Sequence, residues 1–401
     1  MTFRFGIDRL LETQSHLGYL QNQRVGLVAH PASITSDNEH TLDALVSKGC
    51  KPVCAFGPQH GMRGDKQDNM VETEDYFDPV HQIQIFSLYG EHRRPTAAML
   101  KNVDLILFDL QDVGCRIYTY IATMMYFAEA CAEYGIELWV LDRPNPTGRP
   151  IDGLKLEAGH ESFVGGAELP TRHGLTIGEL CNWYCNTKSL SCETTIIEMS
   201  DYDPASKPGY GWPVNERSWI NPSPNAASLN MARCFPGTVL IEGTTLSEGR
   251  GTTIPLEVIG APDFPASEVL AHLRAERPDW ISGVFIRPCY FEPTFHKYSG
   301  QMCQGLQIHT DYTNYQHNEF SPYRLTAGLL KSLRRLRPDY PIWRDHDYEY
   351  EFSRRPIDVI NGGMFLREWV DDMDAGFDVL HDIIETQLAE WLSERQPFLI
   401  Y

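Results

Sequence analysis

Val103 to Gly114 reads V-D-L-I-L-F-D-L-Q-D-V-G. Its first eight residues predict a strand that is apolar on both faces, the most apolar in the chain. Such a strand sits inside a sheet covered on both sides, which is the condition of a parallel sheet. It stops at a polar loop, Gln111-Asp112-Val113-Gly114, and a long helix is expected from about residue 118 to 134. Shorter runs on either side repeat the unit. Strands are expected over 24–29, 51–57, 84–89 and 137–141, with helices over 41–48 and 95–101 between them. Strand and helix in alternation imply a doubly wound α/β sheet.

Each of these strands ends in a polar loop: H-P-A-S from His30, P-Q-H-G from Pro58, Q-D-V-G from Gln111 and D-R-P-N-P from Asp142. In a parallel sheet such ends share one edge, and ligands bind outside it. Loops far apart in sequence are therefore expected around one crevice. The second loop is the richest, with Gln59, His60, Arg63 and Asp65 spaced among Gly57, Gly61 and Gly64. No G-x-G-x-x-G follows any strand, so a dinucleotide site is not expected.

The rest of the chain alternates less cleanly. A helix is expected over 176–186 and a strand over 194–199, then a loop-rich stretch carrying Trp212, Trp219 and Asn225. We place a domain boundary near residue 230, giving an N-terminal unit (1–230) and a C-terminal α+β unit (231–401). In the second unit, helices are expected over 266–274, 323–335 and 377–393, and strands near 284–287 and 306–310. Phe377, Leu380, Ile384, Leu388 and Trp391 recur at helical spacing and form a core face.

Composition narrows the function. The 401 residues carry a net charge of −20, which argues against nucleic acid and against an anionic membrane surface. No stretch approaches the roughly 20 apolar residues of a membrane span. The N-terminal Met-Thr-Phe-Arg-Phe lacks the pattern of a secretory signal. Ten cysteines make no C-x-x-C pair, so zinc is not expected. We read them as reduced core residues of a cytoplasmic protein. No metal or cofactor is expected.

The candidate chemistry lies in the loops. Arg63, Arg116, Arg143, Arg172 and Arg250 suit bidentate capture of a carboxylate or phosphate, or alternatively pair with Asp65, Asp112, Asp142 and Glu248. Tyr118, Tyr120, Trp212 and Trp219 suit stacking on a sugar, or core packing. Asp112, Glu242 and Glu248 are candidates for acid and base work, or for caps and ion pairs. His30, His60 and His173 share the same inferred edge, and their scatter makes no metal spacing.

Longer motifs add a resemblance. F-G-P-Q-H-G-M-R-G-D (56–65), S-L-Y-G-E-H-R-R-P-T (87–96), D-L-Q-D-V-G-C-R-I-Y-T-Y (109–120), L-D-R-P-N-P (141–146), R-H-G-L-T-I-G-E-L (172–180), P-S-P-N (222–225), E-G-T-T-L-S-E-G-R-G-T-T (242–253), P-T-F-H-K-Y (293–298) and the closing F-L-I-Y fall in order. Together they resemble the exo-β-N-acetylmuramidase family of peptidoglycan recycling over almost the whole chain. The resemblance implies a Rossmann-like N-terminal domain and a C-terminal accessory domain with a cleft between them. It also implies a glycoside hydrolase that releases N-acetylmuramic acid from the non-reducing end of peptidoglycan fragments. The sugar's lactyl carboxylate would suit the arginines.

One position departs from the family, which usually carries P-E-H-G where this chain has P-Q-H-G. The glutamate there is the family's proposed catalytic residue, and Gln59 has no proton to give. Three readings stand: an engineered inactive variant, a natural branch whose acid role moved to Asp112 or Glu248, or a muropeptide-binding protein without catalysis. We prefer a cytoplasmic enzyme acting on imported muropeptides or a disaccharide containing N-acetylmuramic acid. In that reading Gln59, His60, Asp112 and Glu248 serve catalysis, while Arg63, Asp65, Arg116, Tyr118, Arg143, Asn145, Arg172, His173, Asn225 and Arg250 hold the sugar.

Overall fold

A computed structural model describes residues 2–64 and 70–401. The strands are β1 (Val25–Ala29), β2 (Cys54–Gly57), β3 (Tyr76–Asp78), β4 (Ile83–Ser87), β5 (Leu105–Asp109), β6 (Glu137–Leu141), β7 (Asp152–Lys155), β8 (Pro170–Arg172), β9 (Thr194–Ile197), β10 (Val258–Ala261), β11 (Phe285–Phe291) and β12 (Cys303–His309). Seven form the central sheet in the order β3-β4-β2-β1-β5-β6-β9. All its pairings are parallel except β3 with β4. Setting aside the antiparallel edge strand, the order is that of the doubly wound dinucleotide-binding fold, with its topological switch between β1 and β5. The fold class expected from the sequence is the one found.

β5 shows why. Leu105, Ile106, Leu107 and Phe108 are all fully buried. Ile106 and Phe108 enter one core while Leu105 and Leu107 enter another, because successive side chains of a strand point to opposite faces. Val28 and Leu27, Phe56 and Ala55, and Val140 and Leu141 divide the same way. Each large side chain buried in this way contributes ~2 kcal/mol, which fixes the register.

Four helices matter for the site. They are α1 (Tyr120–Tyr134), α2 (Leu229–Thr238), α3 (Pro322–Leu336) and α4 (Phe377–Arg395). α1 ends at Gly135, whose φ of 66° closes the helix in the left-handed region that glycine tolerates. Helix α2 was not anticipated from the sequence. It runs through Pro236, in a stretch dense in loop-forming residues, and its packing against α3 overrides that local preference. The hairpin strand β3 was likewise not anticipated. It is a three-residue edge strand with two exposed positions, which leaves almost no apolar signal.

The C-terminal half carries the antiparallel sheet β10-β12-β11 and helices α3 and α4. One apolar cluster runs from Val28, Phe56 and Phe108 to Leu330, Leu380 and Trp391. The boundary expected near residue 230 falls at the start of α2. Among the described residues, no helix is long and apolar enough to cross a membrane.

Candidate functional site

The C-terminal ends of β1, β2, β5 and β6 deliver His30, Gln59, Gln111 and Asp142 to one edge. The switch point itself is filled. His30 Nε2 accepts from the Gln111 amide (3.1 Å), its Nδ1 meets Ser33 Oγ (2.8 Å), and Ser33 Oγ donates to the Asp109 carbonyl. Burial and the nearby Arg143 guanidinium push the His30 imidazole well below its ordinary range, so it stays neutral. Arg143 donates to both oxygens of Asp109 (2.5 and 2.9 Å) and to the Ile34 carbonyl (3.0 Å). These bonds lock three strand ends together and close the place where a dinucleotide would lie.

The open space is displaced towards the β2 loop. A cavity there is lined by Gln59, His60, Tyr118 and Thr119 from the N-terminal half, with Ser223 and Asn225 from the loop before α2. The C-terminal half supplies Glu242, Arg250, Tyr348 and Glu349. Met231 and Phe235 of α2 form an apolar wall. Thr119 stands at the N-cap of α1, but its hydroxyl donates to Gln59 Oε1 (2.8 Å) instead of capping the helix. That bond fixes the amide, whose Nε2 then donates to Glu349 Oε1 (3.0 Å). Tyr89 OH donates to the other oxygen of Glu349 (2.8 Å).

Glu349 is the residue the sequence reading missed. It is 4% exposed, and burial raises its carboxyl from the ordinary 4.5 to about 7. The bonds from Tyr89 and Gln59 oppose that shift, nearby Glu242 adds to it, and Arg250 opposes it. The acid is therefore largely protonated in mildly acidic solution. It lies in H-D-Y-E-Y-E (346–351), which reads as a solvated acidic loop. Only a fold that brings residue 349 back to residue 59 buries it. The available signal was a carboxyl flanked on both sides by tyrosine.

Glu242 is held between Tyr348 OH (2.7 Å) and Arg250 Nη2 (2.6 Å). His60, Glu349 and Tyr350 have positive φ values of 70°, 46° and 68°. Non-glycine residues adopt this region uncommonly, and such strain gathers at functional sites. The free volume of the cavity is about 50 Å³, room for a water or two and far below the ~300 Å³ of an ordinary ligand pocket. Tyr348 and Glu349 form part of its wall, and beside them Arg93 stacks over the Tyr350 ring at 3.9 Å.

Of the other residues singled out in the sequence, Gln59, His60, Tyr118, Asn225 and Arg250 line this cavity. Tyr118 OH donates to Ser223 Oγ (2.9 Å). Glu248 does not line it. It is fully buried, in the ion-pair role given above as its alternative, meeting Lys297 Nζ (2.9 Å), Arg250 Nε (3.2 Å) and His296 Nδ1 (3.4 Å). Burial pushes its carboxyl up, but the Lys297 ammonium, the His296 contact and the Arg250 guanidinium together outweigh burial and hold it far below the ordinary range, so it has no proton to donate. Asp112 is also off the cavity wall. Its Oδ2 accepts from the Gly114 amide (2.6 Å) and lies 3.7 Å from His173 Nε2.

The arginines are mostly committed elsewhere. Arg116 is buried and donates to the carbonyls of Asn361 (2.7 Å) and Ile360 (3.4 Å). Burial lowers it to about 10. Arg172 donates to the carbonyls of Thr147 (2.6 Å) and Phe320 (3.0 Å). With Arg143 on Asp109, three of the five arginines expected around a crevice tie backbone segments together. Although Arg116 Nε and Nη1 and Arg172 Nε find no acceptor, loop carbonyls are the nearest acceptors for a buried guanidinium. Asn145 does the same, donating to Leu175 (3.0 Å) and Gly148 (3.2 Å) carbonyls, while His173 accepts from the Leu175 amide (3.2 Å). Arg63 is half exposed, 3.4 Å from Asp78, in a neighbouring groove. Asp65 lies outside the described residues. Among the described residues, no cluster has the makings of a metal site.

Comparison with known proteins adds to this geometry. A family model for the N-terminal part of the exo-β-N-acetylmuramidase NamZ matches residues 25–230, and the model for its C-terminal part matches residues 233–401. A curated relative, the peptidoglycan β-N-acetylmuramidase NamZ of Bacillus subtilis (strain 168), is 35% identical over 99% of this chain and 91% of its own length. Two crystal structures of DUF1343 family proteins from Bacteroides fragilis NCTC 9343 share the fold. One has a TM-score of 0.87 at 29% identity, the other 0.75 at 25%, each over 100% of this chain and 99% of its own.

Proposed function

The chain belongs to the NamZ exo-β-N-acetylmuramidase family, and from that premise we propose that it releases N-acetylmuramic acid from the non-reducing end of peptidoglycan fragments. As a family member it is a glycosidase. The fragment-recycling role and a cytoplasmic setting are the finer part of the proposal. The ten free cysteines support the reducing compartment.

The observation that carries the reading is Glu349, a buried carboxyl raised to about 7 and hydrogen-bonded to the side chain that replaces the family's glutamate. Cleavage of a glycoside needs a neutral acid to protonate the leaving oxygen. Both hydrogen bonds to Glu349 from Gln59 and Tyr89 are donated to it. A proton on the neutral carboxyl is thus left for a partner in the cavity. Gln59 holds the acid in place, and its amide cannot titrate in its stead. Arg250 and Asn225 are the cavity's polar groups for the lactyl carboxylate and acetamido group, and Tyr118 and Phe235 offer ring faces. At about 50 Å³ the cavity must widen to admit a sugar. The acetamido oxygen of the substrate, or a water, supplies the nucleophile.

A second reading follows from Gln59 itself: a protein that keeps the pocket and binds muropeptides without cleaving them. Hydrolysis of a chromogenic β-N-acetylmuraminide by the unsubstituted protein decides. Turnover supports the glycosidase and removes the binding-only reading. No turnover by the unsubstituted protein on a disaccharide with a sugar leaving group, with activity there only in Gln59→Glu, refutes the assignment of the acid to Glu349.

A further inference from the structure

Helix α2 has two working faces. Met231 and Phe235, one turn apart, line the catalytic cavity. Arg233 lies between them in sequence and roughly 200° away around the helix, so it faces the other side. There a second and much larger cavity opens, of about 1120 Å³, lined by Asn230, Arg233 and residues from 207–214 and 310–316. The two spaces are separated by about one helix diameter, ~10 Å.

The floor of this groove is built. Arg233 is buried, donates to the carbonyls of Gly209 (2.6 Å) and Thr310 (3.1 Å), and sits 5.0 Å from the Tyr315 ring centre. Its buried Nε has no hydrogen-bond partner. Asn230 Oδ1 accepts from the amide and hydroxyl of Thr310 (2.6 and 2.7 Å). Tyr315 OH meets His317 Nδ1 (2.8 Å), and the Tyr210 ring stacks on the His317 ring at 4.8 Å. The rim is exposed: Lys207, Tyr312 and Asn314.

We propose that this groove is a second carbohydrate subsite, which holds a peptidoglycan glycan strand while its terminal sugar is processed at the other face of α2. The proposal rests on the glycosidase reading. Its volume exceeds what one sugar fills and suits an extended ligand. Tyrosine rings offer faces for sugar carbons, and amide and hydroxyl side chains match hydroxyl and acetamido groups. Lys207 and Arg233 outnumber Asp311 in the lining, an excess of positive charge in a chain of net −20. That excess suits a strand freed of its stem peptides, along which the lactyl groups are free carboxylates.

The test compares peptide-free glycan strands with a chromogenic β-N-acetylmuraminide, which is too short to reach across α2. Tyr312→Ala and Lys207→Glu change exposed rim positions. Each is expected to lower kcat/KM on strands roughly tenfold relative to kcat/KM on the monosaccharide substrate. In a Glu349→Gln background, where strands persist, the same changes are expected to weaken strand binding by a similar factor. A ratio within twofold of the parent, with unchanged strand binding, overturns the proposal. Failure of the unsubstituted protein to cleave either substrate counts against the glycosidase reading instead. The binding arm then still decides the groove.

Discussion

Replacing Glu349 by glutamine separates the chemistry proposed for this site from its architecture. The amide has the same shape, and its carbonyl can still accept from Gln59 Nε2, which now donates to Glu349 Oε1 at 3.0 Å. It has no proton to give. Loss of a general acid costs roughly 10²–10⁴ in rate, or about 3–5 kcal/mol of barrier. That loss should appear in kcat on a disaccharide whose leaving group is a sugar hydroxyl. A nitrophenyl glycoside departs as a stable phenolate and needs little protonation, so its loss should be ~tenfold or less. Stability moves the other way. The folded carboxyl titrates near 7 against an ordinary 4.5, so the folded chain holds a proton that the unfolded chain has released. Stability therefore falls as pH rises from about 4.5 to about 7, and stays lower above that. The difference is about 3 kcal/mol, and Glu349→Gln removes it. Denaturant unfolding at pH 5 and pH 8 should show the variant gaining on the parent at the higher pH. Equal rate losses on both substrates, or a variant destabilised alike at both pH values, would refute Glu349 as a buried, neutral acid.

Other outcomes follow from the same geometry. The parent kcat/KM should decline as pH rises through about 7, where Glu349 loses its proton, and this limb should be absent from Glu349→Gln. Gln59→Glu places a second carboxyl about 3 Å from the first. Two such groups share a proton, so a pH–rate profile should show two apparent values spread apart and the descending limb moved above 7. Lys297→Met leaves buried Glu248 without the ammonium 2.9 Å away and strips donors from the Ile241 and Leu246 carbonyls. A cost of roughly 3–5 kcal/mol in denaturant unfolding is expected, and under 1 kcal/mol would refute the ion cluster as structural. Gly114 has φ 73°, and a Cβ there would fall 2.1 Å from Asn145 Oδ1 and Thr147 Oγ1. Gly114→Ala should lower Tm by several degrees, and an unchanged Tm would refute that crowding.

The central sheet was legible in the sequence because each of its core strands is apolar on both faces, as in V-D-L-I-L-F-D-L. The strand-end loops were legible for the same reason, since a buried strand that stops at polar residues marks its own edge. What those loops do was less legible. Arg116, Arg143 and Arg172 look in sequence like ligand groups, but each is buried and spends at least one guanidinium nitrogen on loop carbonyls or on Asp109. Local sequence does not encode which acceptors a fold will bring. Glu248 and Glu349 show the converse. Both are glutamates in polar stretches, and only tertiary placement surrounds one with cations and the other with tyrosine and amide. Their opposite titration follows from those surroundings and not from either motif.

The bond from Gln59 to Glu349 joins positions 290 apart in the chain. During vectorial synthesis at 5–20 residues per second, residue 349 emerges roughly 15–60 s after residue 59. The last strand of the central sheet, β9, ends at Ile197, so every strand of the sheet beside Gln59 and Thr119 is made before residue 349. On the proposed assignment of the acid to Glu349, hydrolytic competence arrives late, once the tyrosine-flanked turn has been made and has reached Gln59. On that assignment a chain that stops before residue 349 lacks the acid, so activity reports on joining the two ends of the chain.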